Sequence, residues 1–132
     1  MIDVRVQAAA FDPGRQLARL DELGAGRVVS FTAAAQAGPE VASLFIDHHP
    51  PLARNALARI AAEAEERWSL TGAILIHRHG RIAPGERLAF AAVAAADGPA
   101  ALEACAFLAE ALRTRAPFWR REILAGGGER WR

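Results

Sequence analysis

Apolar and polar residues alternate in short runs along the chain, and between these runs apolar residues recur every three or four positions. Ile2, Val4 and Val6 alternate with polar neighbours, which predicts a short strand at the N-terminus. Runs rich in β-branched and aromatic residues predict five further extended segments, at 26–35, 41–49, 71–80, 87–95 and 117–124. Glycine and proline mark the loops and turns between them, at 36–40, 81–86 and 125–129.

Three segments carry the apolar spacing of amphipathic helices, at 12–23, 50–68 and 97–115. The middle segment opens on Pro50 and Pro51, which suit the first turn of a helix. In the last segment, Leu102, Cys105 and Leu112 are predicted to share the apolar face.

The predicted order is strand, helix, strand, strand, helix, strand, strand, helix, strand. Successive strands with no helix between them are typical of hairpins, so we expect a mixed or antiparallel sheet covered by helices, in the α+β class. No internal repeat, linker or change in composition divides the chain, which predicts one domain over residues 1–132.

The composition is that of a folded protein with one strongly basic segment. An apolar fraction of 52% with 23% charged residues excludes general disorder. The formal net charge is only +1, which does not indicate a polyanion-binding protein. However, residues 113–132 hold six arginines and two glutamates, an excess of four positive charges, and the chain contains no lysine.

Cysteine usage and hydropathy bear on the compartment. Cys105 is the single cysteine, so no internal disulfide can form, which fits a reducing compartment. Residues 1–7 lack the long apolar region of a signal peptide, and no window of the sequence approaches a membrane span. We therefore expect a cytoplasmic protein with no membrane partner.

The histidines and the cysteine are weak candidates for chemistry. His77 and His79 lie two apart on a predicted strand and would share a face, whereas the adjacent His48 and His49 would face opposite ways. No cysteine or carboxylate completes a recognisable ligand spacing, so we expect no metal site. Cys105 lies on the apolar face of a predicted helix, which indicates an inert buried thiol.

The segment 113–122, with the sequence "RTRAPFWRRE", is the main candidate for chemistry. Arg113 and Arg115 end a predicted helix, where positive charge is favourable, so a purely structural role remains open. Guanidinium groups also bind phosphate and carboxylate, and the interleaved Phe118 and Trp119 can stack on a flat heterocycle or on bases. A solvated helix end and an anion site both fit these residues. Nucleic-acid binding is disfavoured by the near-neutral net charge.

Five stretches form an ordered set over most of the chain, from about Ala25 to Trp131: "GRVVSFT", "DHHPPLARNALARIAAEAEERW", "IHRHGRIAPGE", "ALEACAFLAEALRTRAPFWRRE" and "GERW". In this order they resemble the large, catalytic subunit of molybdopterin synthase. The resemblance implies an α/β-hammerhead fold and a homodimer, with a small ubiquitin-like subunit at each end.

The resemblance also implies a reaction. The small sulfur-carrier subunit inserts its C-terminal Gly-Gly tail, which carries a thiocarboxylate, into a pocket of the large subunit. Two sulfurs are transferred in turn to cyclic pyranopterin monophosphate, giving the dithiolene of molybdopterin. No cofactor is implied, because the pterin is the substrate.

Two arginines stand where the family that this sequence resembles has lysines, and those lysines are credited with catalysis. Arg113 and Arg120 stand at these positions and are the predicted catalytic residues, binding phosphate and stabilising an oxyanion. Arginine has essentially no neutral form near neutral pH, so it cannot act as an amine base or nucleophile. The alternative is therefore an impaired paralogue that only binds the ubiquitin-like carrier.

Further residues are predicted to bind the substrate. Phe118 and Trp119 would shape the wall of the pocket, and electrostatic support would come from Arg78, Arg115 and Arg121. The family has an arginine in the loop where this chain has Gln36, and His-Arg before the last helix where this chain has Asp97-Gly98. Gln36 and Asp97 are therefore included as positions where the expected positive charge is missing.

Overall fold

The computed structural model describes all residues from 1 to 132 and contains three helices and eight strands. In chain order these are β1 (Ile2–Gln7), α1 (Pro13–Asp21), β2 (Arg27–Ala34), β3 (Val41–His48), α2 (Pro50–Trp68), β4 (Gly72–Arg78), β5 (Gly80–Ile82), β6 (Arg87–Ala95), α3 (Gly98–Thr114), β7 (Phe118–Leu124) and β8 (Glu129–Trp131). All three predicted helices and all six predicted extended segments are confirmed, with ends that differ by a few residues.

The strands form two four-stranded sheets. The first has the order β1-β4-β6-β2, with β1 parallel to β4 and the remaining pairs antiparallel. The second has the order β5-β3-β7-β8 and is antiparallel throughout. The α+β class with mixed or antiparallel pairing and packed helices is confirmed, and the strands are divided between one mixed and one antiparallel sheet. The short strands β5 and β8 escaped prediction because three residues are too few to show a period.

The inner strands β4 and β6 of the first sheet are covered on both faces, which explains why every residue of β4 is buried. On one face, Leu20 of α1 packs against Ile74, Ile76 and Phe90. On the other face, α2 and α3 cover the sheet in the larger core cluster. The seven consecutive residues Ala89–Ala95 of β6 include five alanines, and these small side chains allow the helices to approach closely.

Local sequence signals fix the ends of the helices. The carboxylate of Asp12 accepts a hydrogen bond from the Gly14 amide at the start of α1, and that of Asp97 accepts from the Ala100 amide at the start of α3. At the other end of α3, Arg115 is the C-cap, and Pro117 separates the helix from β7.

One predicted core position on α3 is wrong. Cys105 and Leu112 are buried, but the side chain of Leu102 is 62% exposed. The buried positions of α3 are 101, 104, 105, 108, 111 and 112, a helical stripe that excludes residue 102. None of the three helices combines the length and the hydropathy that a membrane crossing requires.

Candidate active site

A cavity of about 710 Å³ is lined by both sheets and by the last turns of α3. Eleven of its sixteen lining residues are apolar, and they include Phe31, Leu88, Leu112, Phe118 and Trp119. The polar lining residues are His77, Glu110, Arg113, Arg120 and Arg132. An apolar cavity with a few convergent polar groups is the usual form of a small-molecule site.

The cavity brings together four of the predicted site residues, Arg113, Phe118, Trp119 and Arg120. These residues belong to two elements: Arg113 lies in the last turn of α3, and the other three lie at the start of β7. The turn at residues 115–117 therefore folds the segment back on itself, which brings its two predicted catalytic arginines to the same cavity.

Arg113 is the outer of these two cations. Its side chain is 71% exposed, and its Nη2 group lies 2.5 Å from a carboxylate oxygen of Glu110. The hydrogen bond from Arg113 lowers the pKa of Glu110, so this pair is ionised near neutral pH. Arg113 also lies in the last turn of α3, where a cation interacts favourably with the helix dipole.

Arg120 is the inner cation, and no carboxylate pairs with it. It is half-buried on β7, and neither an ion pair nor a side-chain hydrogen bond to a protein acceptor engages its guanidinium group. Burial lowers its pKa, and the neighbouring charge of Arg132 lowers it further. A half-buried cation without a partner is costly for the protein alone, and an anion in the cavity would offset that cost.

His77 is a neutral hydrogen-bond acceptor at the cavity wall. Its Nδ1 lies 2.8 Å from the carbonyl oxygen of Arg78, which can only accept, so Nδ1 carries the proton. Nε2 then presents a lone pair, has no protein partner, and is not fully buried. Burial lowers the pKa of His77 to about 4, and the charge of Arg120 contributes to this lowering.

Aromatic rings form a cluster at the cavity wall and beyond it. The ring of Phe118 stacks on His77 with centroids 3.7 Å apart, and its cross-strand neighbour His48 has its ring centroid 6.1 Å away. His48 in turn stacks on His79 at 4.1 Å. Three of the four histidines therefore belong to this cluster, and no group of three His, Cys, Asp or Glu side chains is arranged to hold a metal ion.

Two of the arginines predicted to support the site hold the fold together instead. Arg78 is buried, donates from Nε and Nη2 to the carbonyl oxygen of Ala8, and pairs with Glu86. Arg115 pairs with Glu63 of α2 at 2.9 Å and lies over the ring of Phe107. Neither side chain lines the cavity.

Arg121 does not line the cavity, and its side chain projects from the face of β7 opposite to that of Arg120. It pairs with Asp47 and Glu129, and its guanidinium carbon lies 4.6 Å from the centre of the Phe45 ring. Gln36 is exposed in the loop between β2 and β3, and Asp97 caps α3. The structure does not bring these three residues to the cavity.

Sequence reasoning missed three polar residues of the cavity, His77, Glu110 and Arg132. The spacing of Glu110 and Arg113 on one helix was a usable signal for their ion pair. The sequence presents His77 only as a weak candidate for chemistry, because its contact with Phe118 depends on how the two sheets meet. Arg132 gave no signal, because only the pairing of β7 with β8 places it beside Arg120.

Cys105 is the inert thiol that the sequence predicts. It is buried, and its sulfur lies 3.8 Å from the carbonyl oxygen of Ala91. Burial raises the pKa of Cys105 to about 11, so the nucleophilic thiolate is scarcely populated near neutral pH.

Comparison with known proteins places these features in a family. The family model described as "MoaE protein" matches residues 6–115 of the chain. The molybdopterin synthase catalytic subunit of Pseudomonas aeruginosa is 44% identical over 133 residues, which cover 97% of this chain and 88% of the relative.

Solved structures show the same fold. The molybdopterin biosynthesis MoaE protein from Burkholderia ambifaria superimposes with a TM-score of 0.86 at 32% identity, covering 99% of this chain and 88% of that one. A chain from the complex of subunits 1 and 2 of the molybdopterin-converting factor from Helicobacter pylori shares the fold alone, with a TM-score of 0.73 at 15% identity. It covers 98% of this chain and 88% of that one. With its arginine-lined cavity and this similarity along almost its whole length, the chain belongs to the MoaE family, the family of molybdopterin synthase catalytic subunits.

Proposed function

We propose that this protein is a sulfurtransferase that forms molybdopterin from cyclic pyranopterin monophosphate, using the thiocarboxylated C-terminus of a small ubiquitin-like subunit as the sulfur donor. The observation that carries the proposal is the cavity in which the unpaired Arg120 lies beside the aromatic wall of Phe118 and Trp119. A flat pterin with a phosphate needs both a stacking surface and a cation. Membership of the family supplies the reaction class.

The atom balance of the reaction defines what the site must do. In each of the two transfers, the thiocarboxylate sulfur forms a bond to a precursor carbon while a carbon–oxygen bond of that carbon breaks, the oxygen leaving as water or remaining on the phosphate. Water then breaks the bond between the acyl carbon and sulfur. Sulfur stays on the pterin, and the carrier leaves with an ordinary carboxylate. Attack of water on the acyl carbon places negative charge on its oxygen, which a fixed cation or hydrogen-bond donor can stabilise.

Arg120 is suited to that electrostatic role. Its guanidinium group stays charged, its donors are not engaged by a carboxylate, and the surroundings are partly desolvated. Arg113, at the exposed rim and held by Glu110, is suited to binding an incoming anion. This division of roles requires no neutral amine, so replacement of lysine by arginine is compatible with turnover.

The alternative of a chain that only binds the carrier finds no support in the comparisons. The relatives that match almost the whole chain are named as catalytic subunits.

We further propose a homodimer in which each large subunit binds one small subunit, in the cytoplasm. The Helicobacter pylori structure of the same fold is a complex of two subunits, which supports the partner. A reducing compartment suits both the unpaired Cys105 and a thiocarboxylate donor.

Reconstitution of the purified protein with a thiocarboxylated carrier and the precursor tests the function. We expect molybdopterin to accumulate with the wild-type chain and not with a carrier that ends in an ordinary carboxylate. Formation no faster than in the absence of the large subunit would contradict the proposal.

A further inference from the structure

Arg120 and Arg132 are neighbours across the β7–β8 pairing. The amide of Arg132 donates a hydrogen bond to the carbonyl oxygen of Arg120 at 2.9 Å. This bond extends the β7–β8 ladder, in which Glu122 lies opposite Arg130. Both side chains line the cavity. Two cations thus stand next to each other in the lining of the cavity.

The fold does not neutralise this pair of cations. Like charges opposite each other on neighbouring strands are destabilising. Glu122 forms ion pairs with both Arg130 and Arg132, and Arg130 also pairs with Glu40. Arg120 pairs with no carboxylate. One positive charge remains uncompensated, and it faces the cavity.

Arg132 is held in place and yet keeps free donors. Its Nη1 group lies 3.0 Å from the carboxylate of Glu122, whose side chain is only 4% exposed, while the side chain of Arg132 itself is 52% exposed. Only Nη1 is engaged by a protein acceptor. The remaining N–H groups of its guanidinium fork are available to a ligand.

We propose that Arg132 and Arg120 together form a phosphate subsite at the β7–β8 end of the cavity, and that Glu122 positions Arg132 within it. Two guanidinium groups on adjacent strands offer several converging donors to a tetrahedral oxyanion. The inference rests on the proposed function, since it assigns the phosphate of the pterin substrate to Arg132 and to part of the guanidinium fork of Arg120, whose other N–H donors serve the acyl oxyanion. It adds Arg132 and Glu122, neither of which the sequence identified.

The test compares Arg132→Gln with the matched control Arg130→Gln. Both residues bind Glu122, but only Arg132 lines the cavity. We expect Arg132→Gln to raise the KM for the pterin precursor about tenfold, the loss of about one charge-assisted hydrogen bond, with kcat and the KM for the carrier little changed. Arg130→Gln should leave all three constants within about twofold. An unchanged precursor KM in folded Arg132→Gln would overturn the subsite, and a raised carrier KM would assign Arg132 to the thiocarboxylate tail instead.

Binding of inorganic phosphate to the large subunit alone separates this inference from the proposed function. Titration followed by the side-chain NMR signals of arginine should perturb Arg120 and Arg132 in the wild type and lose most of its affinity in Arg132→Gln. If turnover is absent but phosphate still binds in this way, the proposed function fails and the subsite stands. If phosphate leaves both signals unmoved, the subsite is wrong whatever the turnover.

Discussion

The imidazole of His77 lies flat against the ring of Phe118, with centroids 3.7 Å apart and planes only 9° apart. His77 belongs to β4 of the first sheet and Phe118 to β7 of the second, so this contact joins the two sheets at the cavity. Phe118 directly precedes Trp119 and lies two residues before Arg120. The stack therefore fixes the start of the strand on which the proposed catalytic cation is carried.

Replacing Arg120 should reduce turnover more than replacing Arg113. Removal of one preorganised donor at a developing oxyanion costs about 100- to 1,000-fold in kcat, and we expect Arg120→Gln to fall in that range. Arg113→Gln should act mainly on KM, because Arg113 is exposed and already paired with Glu110. Steady-state kinetics with the reconstituted system measures both. Equal losses in kcat would show that both cations act at the reacting atoms.

The charge of Arg120 can also be tested through the dependence of turnover on alkaline pH. Although burial lowers the pKa of Arg120 from its usual value, the group stays charged well above neutral pH. Arg120→Lys introduces an amine that loses its proton more readily when it is partly desolvated. Turnover should therefore decline at lower pH in Arg120→Lys than in the wild type. Coinciding pH–rate profiles would contradict an electrostatic role for this residue.

His77 should make the fold sensitive to mild acid. Its pKa is about 4 in the folded protein, below the ordinary value of 6.5, so the unfolded chain binds the proton more readily between these pH values. The free energy of unfolding should therefore fall as the pH drops from about 6.5 to 4, by about 3 kcal/mol from this residue.

The control is His77→Gln, which keeps a donor for the carbonyl of Arg78 and does not titrate. Denaturant unfolding at the two ends of this range, on both proteins, isolates the histidine because the carboxylates contribute equally to each. A wild-type decline no steeper than that of His77→Gln would show that His77 does not cause the acid sensitivity.

Glu122 should matter more for stability than other acidic residues of the second sheet. Its side chain is 4% exposed and pairs with both Arg130 and Arg132, whereas the side chain of Glu129 is 53% exposed and pairs with Arg121. Glu122→Gln removes the charge between two arginines and should lower the Tm more than Glu129→Gln does. Thermal unfolding followed by circular dichroism compares them. A larger loss from Glu129→Gln would refute this ranking.

Asp97 should act on the helix and not on the substrate. Its carboxylate caps α3 by accepting from the Ala100 amide at 2.9 Å. Asp97→Ala should lower the free energy of unfolding by about 1 kcal/mol, while Asp97→Asn, which can still cap, should lose less. The precursor KM should not change in either variant. A raised KM with unchanged stability would restore Asp97 to the substrate site.

Helices and strands could be predicted well where one buried face sets the spacing of the apolar residues. The helix at 50–68 has the predicted ends, because prolines open it and a long apolar stripe continues to Trp68. The prediction for Leu102 is wrong because alanines occur on both sides of it, so the apolar stripe can run through its neighbour Ala101 instead. The residues of β5 and β8 could not be predicted, since a three-residue strand is defined by its partner and not by its own pattern.

Only the part of the candidate site that lies in one continuous segment of the chain could be predicted. Residues 113–120 are close in sequence, and their basic and aromatic character was visible without a structure. The alternation of a strand also implied that Arg120 and Arg121 face opposite sides. Which of them faces the cavity depends on the pairing of β7 with β3, and the contribution of His77 depends on the meeting of two sheets. Such long-range placements leave no local trace in the sequence.

The pairing of β7 with β3 consequently determines more than the shape of the second sheet. Ile46 lies opposite Arg120 and Phe45 opposite Arg121, and a bulge between Val41 and Ser43 marks the far end of this ladder. A slip by one residue would turn Arg121 into the cavity and Arg120 toward Asp47. The ion pairs of Arg121 with Asp47 and Glu129 hold the alignment in which Arg120 is left uncommitted. Those pairs, on the face of β7 away from the cavity, favour the strand register in which Arg120 lines the cavity.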